Sequence, residues 1–291
     1  MKHIRVTLFF CITALFCLAF SSSARACTIW AATGEQVKDK GSIVAKNRDN
    51  LSSLYTALRF VSPEKGFSFF GIFDIEADGY VTAGINEKGL VVVNASANSV
   101  PRKKRHVATE DLTERLLTSF DSVNAVLSVK EFFQNSHPAI YIIGDASKIA
   151  SVEVAPGGKT SVAIKENGIL AFTNHYTDTD LLGANERSSR SSFARLKRIN
   201  YLIGRHTSPF TLDDFIAFSN DRNGGSEGAL WTARTLTGKI RTLASWIVYL
   251  PANGFPELYV KLANPDEPEN TQRITLDSAF WGTKNLPDTL Y

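Results

Sequence analysis

Cysteine is nearly absent from this chain. Only three of its 291 residues are cysteine, and two of them, Cys11 and Cys17, fall among the first twenty. A disulfide framework is excluded for the remainder, and a thiolate zinc site has too few ligands. The later histidines, His106, His137, His175 and His206, do not stand at metal-ligand spacing. The G-x-S-x-G elbow, H-E-x-x-H, the P-loop and the dinucleotide fingerprint are all missing, so the chemistry tied to each is not expected. No cofactor is implied. Past Phe20, no apolar run reaches the roughly 20 residues of a membrane-spanning helix.

Excess charge is missing too, once the first residues are set aside. Lys2, His3 and Arg5 precede an apolar run from Val6 to Phe20, followed by Ser21-Ser22-Ser23-Ala24-Arg25-Ala26. The run is too short to span a bilayer, and the small-x-small ending is what signal peptidase accepts. Residues 1–26 therefore read as a cleaved signal peptide, leaving 27–291 as a single domain, periplasmic or secreted. Of 32 basic residues the leader takes Lys2, Arg5 and Arg25, which leaves 29 against 29 acidic ones. No nucleic-acid partner is indicated by that balance.

What remains is one thiol, Cys27, at the first mature position. An exported protein normally pairs its cysteines, and this one has no partner in its own chain. Three explanations stand beside each other. Bacterial lipoproteins also begin with a lipid-bearing cysteine, although Arg25 suits their signal poorly. A lone cysteine is often an inert buried residue. The third is an N-terminal nucleophile, whose thiol attacks a carbonyl while its own α-amine serves as base. With pKa values of about 8 for the amine and about 8.5 for the thiol, that proton transfer costs little near neutrality. A preceding peptide bond abolishes the base, so cleavage of the leader and activation become one event.

Downstream, β-patterns dominate: Thr28 to Ala32, Ser42 to Asn47, then 55–61, 67–73, 79–85 and 89–94, with the Glu87-Lys88-Gly89 turn between the last two. Two helical segments follow, one after Thr109 with Glu110 and Asp111 in its first turn, the other after Asp121 or Ser122. Strands return at 139–143, 150–154, 161–164 and 169–173, with Asn167-Gly168 as a hairpin turn. Helices over 189–204 and 212–219, the latter capped at Thr211, precede strands near 230–236, 241–250, 257–262 and 273–277. Strands and helices come in blocks, which favours α+β over alternating βαβ units. The basic run Arg102 to Arg105 reads as solvated surface.

Five pieces in order resemble one family: Cys27-Thr28, Lys46-Asn47-Arg48-Asp49, Asn86-Glu87-Lys88-Gly89-Leu90, Thr173-Asn174-His175-Tyr176 and Thr242-Leu243-Ala244-Ser245. Together they look like the linear amide C–N hydrolases, which include choloylglycine hydrolases, penicillin V acylases and acyltransferases resembling isopenicillin N acyltransferase. The resemblance implies the αββα four-layer sandwich of N-terminal-nucleophile hydrolases and a small acyl amide as substrate. It matches Cys27 to the nucleophile and Asp49 to the carboxylate that orients amine and thiol; taken alone, Asp49 reads as a turn residue closing a strand. Asn174 matches an oxyanion donor. The second donor, a backbone N–H, falls at Asn94 or Ala95. Arg195 matches a helix arginine that reaches the nucleophile, with Arg190 competing. Bile salt hydrolases carry Arg where Lys46 stands, and Arg48, on the same strand face, is a further candidate for that charge. The short segment from Asn174 to Arg195 leaves little room for the long assembly loop of tetrameric bile salt hydrolases, and the oligomeric state is not readable. Acyl transfer to an amine and a non-catalytic, lipidated binding protein stand as alternatives to hydrolysis. Trp30, Phe67, Phe69 and Phe73 hint at an apolar acyl group.

Overall fold

Alternating side chains on two antiparallel sheets sort this chain into three apolar layers. A computed structural model describes residues 26–75, 79–105, 111–187, 189–233 and 239–282. The strands are β1 (Ala26–Thr33), β2 (Ser42–Leu51), β3 (Thr56–Val61), β4 (Phe69–Asp74), β5 (Val81–Asn86), β6 (Val91–Ser96), β7 (Ala139–Gly144), β8 (Ile149–Val154), β9 (Thr160–Lys165), β10 (Gly168–Phe172), β11 (Ile240–Leu250), β12 (Glu257–Leu262) and β13 (Asn270–Thr275). Among the described residues the helices are α1 (Leu112–Ser119), α2 (Val123–Leu127), α3 (Arg190–Arg205) and α4 (Leu212–Ser219), with two short ones, α5 (Gly225–Gly228) and α6 (Ser278–Gly282). The first sheet has the order β10-β1-β2-β11-β12-β13, and the second is a meander running from β3 to β9.

Ile29, Ala31 and Val44 of the first sheet face Phe70, Ile72, Ile85 and Val93 of the second, forming the layer between the sheets. The intervening residues point outward. Trp30, Ile43, Ala45 and Ile247 pack under Ile199 of α3 and Phe215 and Phe218 of α4. Phe69, Val92 and Ile143 pack under Leu112, Leu116 and Leu117 of α1 and Val123 and Val126 of α2. This is the αββα four-layer sandwich.

Side-chain caps start the helices that matter to the site. Ser189 accepts from Ser192 N at the head of α3, and Thr211 and Asp214 form a capping box on α4; such caps contribute about 1 kcal/mol each. On α3 the buried face is Ser192, Arg195 and Ile199, at helical spacing.

Three expectations change. Asn167-Gly168 is not a hairpin, because β9 pairs with β8 while β10 pairs with β1. The turn carries the chain from one sheet to the other, with Gly168 at φ 145°. The strand near 230–236 is absent from its described part, Leu230 to Ala233: Leu230 O instead accepts from the Asn47 side chain, and residues 234–236 lie outside the described residues. α1 begins at Leu112 with Asp111 as its cap; Thr109, Glu110, His106 and the leader residues 1–25 also lie outside the described residues.

Candidate active site

Cys27 is set by a ladder that stops. β1 pairs with β2 from Ala26↔Asp49 to Thr33↔Ser42, but with β10 only as far as Ile29↔Phe172. Continued by two residues, that register would set Cys27 opposite Asn174, where β10 has already ended. The backbone groups of Cys27 on that side meet side chains instead. Its N–H donates to Asn174 Oδ1 at 2.9 Å, and its carbonyl accepts from Arg195 Nη1 at 2.5 Å.

Arg195, buried on the inner face of α3, ties the cluster together. Nη1 also donates to Thr28 Oγ1 at 2.7 Å, Nη2 donates to Asn174 Oδ1 at 2.9 Å, and Nε lies 4.0 Å from Asp49 Oδ2. Two donors on Oδ1 fix which way the Asn174 amide points. Its Nδ2 donates to Ser96 O at 2.9 Å. An amide nitrogen carries two hydrogens, so one remains for an incoming oxygen. Behind it, Ser192 Oγ accepts from Asn174 N at 3.0 Å and sits 2.7 Å from His175 Nδ1.

Asp49 lies within β2, paired on both sides rather than closing a strand: Ala26 stands opposite on β1 and Thr242 on β11. A bulge at Leu243 shifts the β11 register at this point. Bulges re-aim side chains, and here the Thr242 hydroxyl donates to Asp49 Oδ1 at 2.6 Å. Burial pushes the Asp49 carboxyl up to about 6, against the opposing pull of Arg195, Thr242, Arg48 and Lys46. Burial likewise holds Arg195 below its usual range, with Asp49 and Cys27 resisting. It lowers His175 as well, helped by the Arg195 charge.

Strand alternation divides the roles by face. Cys27 belongs with Ile29 and Ala31 to the layer between the sheets, whereas Thr28 meets Arg195 on the helix side. Asp49 is therefore linked to the cysteine through Arg195 and the backbone side of the residue. Arg48, directly opposite Cys27 on β2, shares the thiol's face, and its guanidinium is engaged by Asp74 at 2.8 Å and Thr56 at 2.7 Å.

Cys27, Asp49, Asn174 and Arg195 thus come together, and Arg190, exposed at the start of α3, does not. The Asn94 side chain turns to Thr113 of α1, and its carbonyl and Oδ1 accept from Lys46 Nζ. Ser96 of β6 accepts from the Asn174 side chain, and nothing in the sequence marked it. Thr242 was visible in a motif without a role, and Ser192 is recognisable only as one more polar residue of α3. The aromatic hint also changes. Trp30 packs on Phe215 under α4, Phe69 and Phe73 stack together beneath α1, and Phe67 lies under Lys88; the aromatics in the layer between the sheets include Phe70, Phe172, Tyr176 and Trp246. A cavity of about 540 Å³, lined by Leu250, Phe255 and Trp281, opens at the other end of β11, roughly 25 Å from Thr242 at strand spacing. Among the described residues no cluster of three His, Cys, Asp or Glu could hold a metal, and no helix is long and apolar enough to cross a membrane.

Comparison with known proteins follows the same lines. The family model described as acyl-coenzyme A:6-aminopenicillanic acid acyl-transferase matches residues 37–267. No curated protein sequence matches. A mutant conjugated bile acid hydrolase from Clostridium perfringens has a similar structure, with TM-score 0.57 and 16% identity over 86% of this chain and 92% of that one. Penicillin V acylase from Agrobacterium tumefaciens aligns with TM-score 0.55 and 15% identity over 86% of each chain. At those identities the likeness is one of fold.

Proposed function

We infer the chemistry from a premise the match supplies: the chain belongs to the acyl-coenzyme A:6-aminopenicillanic acid acyl-transferase family, among the linear amide hydrolases. The proposal is an exported amidase, periplasmic or secreted, that cleaves a non-peptide amide R–CO–NH–R′ through an acyl-thioester on Cys27. One observation carries it. Cys27 N–H is held by a side chain, Asn174 Oδ1, where a neighbouring strand would normally hold it. Such a position keeps its geometry when the residue becomes a chain terminus.

Removal of residues 1–26 turns that amide nitrogen into an amine. The amine takes the thiol proton, and the sulfur attacks the substrate carbonyl. Oxygen then carries the charge, and the remaining N–H of Asn174 donates to it, a contribution of about 3–4 kcal/mol in comparable sites. The C–N bond breaks as the α-ammonium returns its proton to the leaving nitrogen. Water adds to the thioester by the same base, releasing the acid and the thiol. Asp49 offsets the charge of the ammonium, and Arg195 holds Asn174 and the Cys27 carbonyl in register. Interception of the thioester by an amine in place of water is the second reading, favoured by the family's own description as an acyl-transferase.

Intact mass of the mature protein, before and after an activated acyl donor, tests this directly. The expected result is an N-terminal Cys27 without lipid that gains one acyl group, with Cys27→Ala neither acylated nor turning over a panel of acyl amides. A lipid-bearing Cys27, or equal turnover by the variant, would remove the residue from the mechanism. Adding amine acceptors during turnover and weighing amide against acid product separates transfer from hydrolysis.

A further inference from the structure

Lys46 is a cation in an unusual place. It lies on β2, facing the second sheet, with its side chain 1% exposed. Its ammonium donates to Thr82 O at 2.7 Å, Asn94 O at 2.7 Å and Asn94 Oδ1 at 3.1 Å. Three donors thus meet three acceptors, which is what a buried charge requires.

Those acceptors mark a fork. β5 and β6 pair only from Ile85↔Val91 to Ala83↔Val93. Thr82 and Asn94 would be the next pair, and their carbonyls bind the ammonium. β6 meanwhile stays with β7 through Ser96↔Ala139. Asn94 Nδ2 donates to Thr113 Oγ1 at 2.8 Å, which closes the fork on the helix side. Two residues further along β6, Ser96 O accepts from Asn174 Nδ2. The charge on β2 is thereby linked through one short stretch of backbone to the amide aimed at the reacting oxygen.

We propose that Lys46 is a positioning residue: it wedges β6 away from β5 and so fixes the Asn94–Ser96 backbone against Asn174, setting the oxyanion site. This rests on the Cys27 reading above. The ammonium's hydrogen bonds go to backbone and an amide, so they act on geometry, beside the electrostatic pull it exerts on Asp49. Misplacing a catalytic group by about 1 Å can cost on the order of 100-fold, whereas alkylation of a thiol develops no oxyanion and is indifferent to such a shift.

The test uses the mature enzyme and the variants Lys46→Met and Thr113→Val, the latter loosening the same fork without touching the charge. Three readouts are taken: turnover of an acyl p-nitroanilide, alkylation of Cys27 by iodoacetamide, and backbone hydrogen exchange over 94–96. For Lys46→Met, kcat should fall about 100-fold with KM little changed, and exchange at 94–96 should quicken about tenfold. Alkylation should stay near the wild-type rate. Thr113→Val should move the same two readouts in the same direction by a smaller amount, and it decides the matter if Lys46→Met does not fold. Unchanged kcat or unchanged exchange overturns the proposal. So does a matched fall in alkylation and turnover, which would make Lys46 a thiol-activating charge. A wild type that alkylates at Cys27 yet turns over no acyl amide fails the hydrolase reading instead, and the exchange arm tells the two failures apart.

Discussion

The two halves of β2 are equally buried and chemically opposite. Ser42, Ile43, Val44 and Ala45 are fully buried, and Lys46, Asn47, Arg48, Asp49 and Asn50 are no more than 2% exposed. For Ile43, Val44 and Ala45, burial is its own reason: each side chain leaves water for a hydrophobic layer. For the polar half burial is a cost, limited only where every charge finds a partner. Each does. Lys46 meets three oxygens, Asn47 donates to Ser219 O and Leu230 O, Arg48 meets Asp74, and Asp49 meets Thr242. A strand built only for stability would have continued as it began. The polar half instead places fixed charges on both faces of the sheet beside Cys27, and polar residues that burden the fold cluster at functional sites.

That contrast breaks most visibly at Asn174. Replacing it with Ala should lower kcat by about 10²–10³, the usual effect of losing one oxyanion donor. It should also cost about 1–3 kcal/mol of stability, because Cys27 N–H and Arg195 lose a buried acceptor. Steady-state kinetics and urea unfolding on the same preparation check both. A stability loss without a kinetic one would reduce Asn174 to a strut.

Asp49 sharpens the comparison through pH. Its carboxyl, ordinarily near 3.8, is lifted by burial to about 6 while Ala26 precedes Cys27. A raised carboxyl favours the folded state when protonated, so its contribution is fully present below about pH 4 and lost as pH rises through about 6. The span corresponds to about 3 kcal/mol. In chains retaining Ala26, the wild type should therefore gain about that much relative to Asp49→Asn as pH falls from 7 to 4. Denaturant midpoints across that range measure it, and a flat or inverted difference would show that the carboxylate is not disfavoured where it lies.

Much of this was legible in the sequence, for reasons that also mark the boundary. Strand alternation and helix caps are local, so β1, β2, α3 and α4 could be read from their own residues. Family resemblance marked Cys27, Asp49 and Asn174 through short motifs, and Arg195 through its match to a helix arginine. The choice between Arg190 and Arg195 was not local: five residues apart, they lie about 140° around the helix from each other, and only the partner sheet decides which face is buried. Sheet membership was equally hidden. Asn167-Gly168 has the composition of a hairpin, but whether the next strand pairs back or crosses to the other sheet depends on β1, far away in sequence. Ser96 left no signal, since its part is played by a backbone carbonyl, which every residue has. The fork at Lys46 was unreadable for the same reason.

The smallest effect belongs to the apolar half. Ile43 is fully buried under α3 and α4 and pairs with Ala32 and Tyr249 across its two neighbours. Ile43→Val removes one methylene from that layer and should cost about 0.5–1.5 kcal/mol, from transfer and the small void left behind. Position 43 lies six residues from Asp49 along the strand, roughly 20 Å at strand spacing. With no polar partner to release and no register to change, the deletion has no route to the reacting atoms except through global unfolding. kcat and KM measured well below the melting transition should therefore match the wild type, while the melting temperature falls by a few degrees. A fall in kcat at a temperature where the variant is fully folded would mean that the apolar half transmits strain to Lys46 and Asp49, and that the strand acts as one element instead of two.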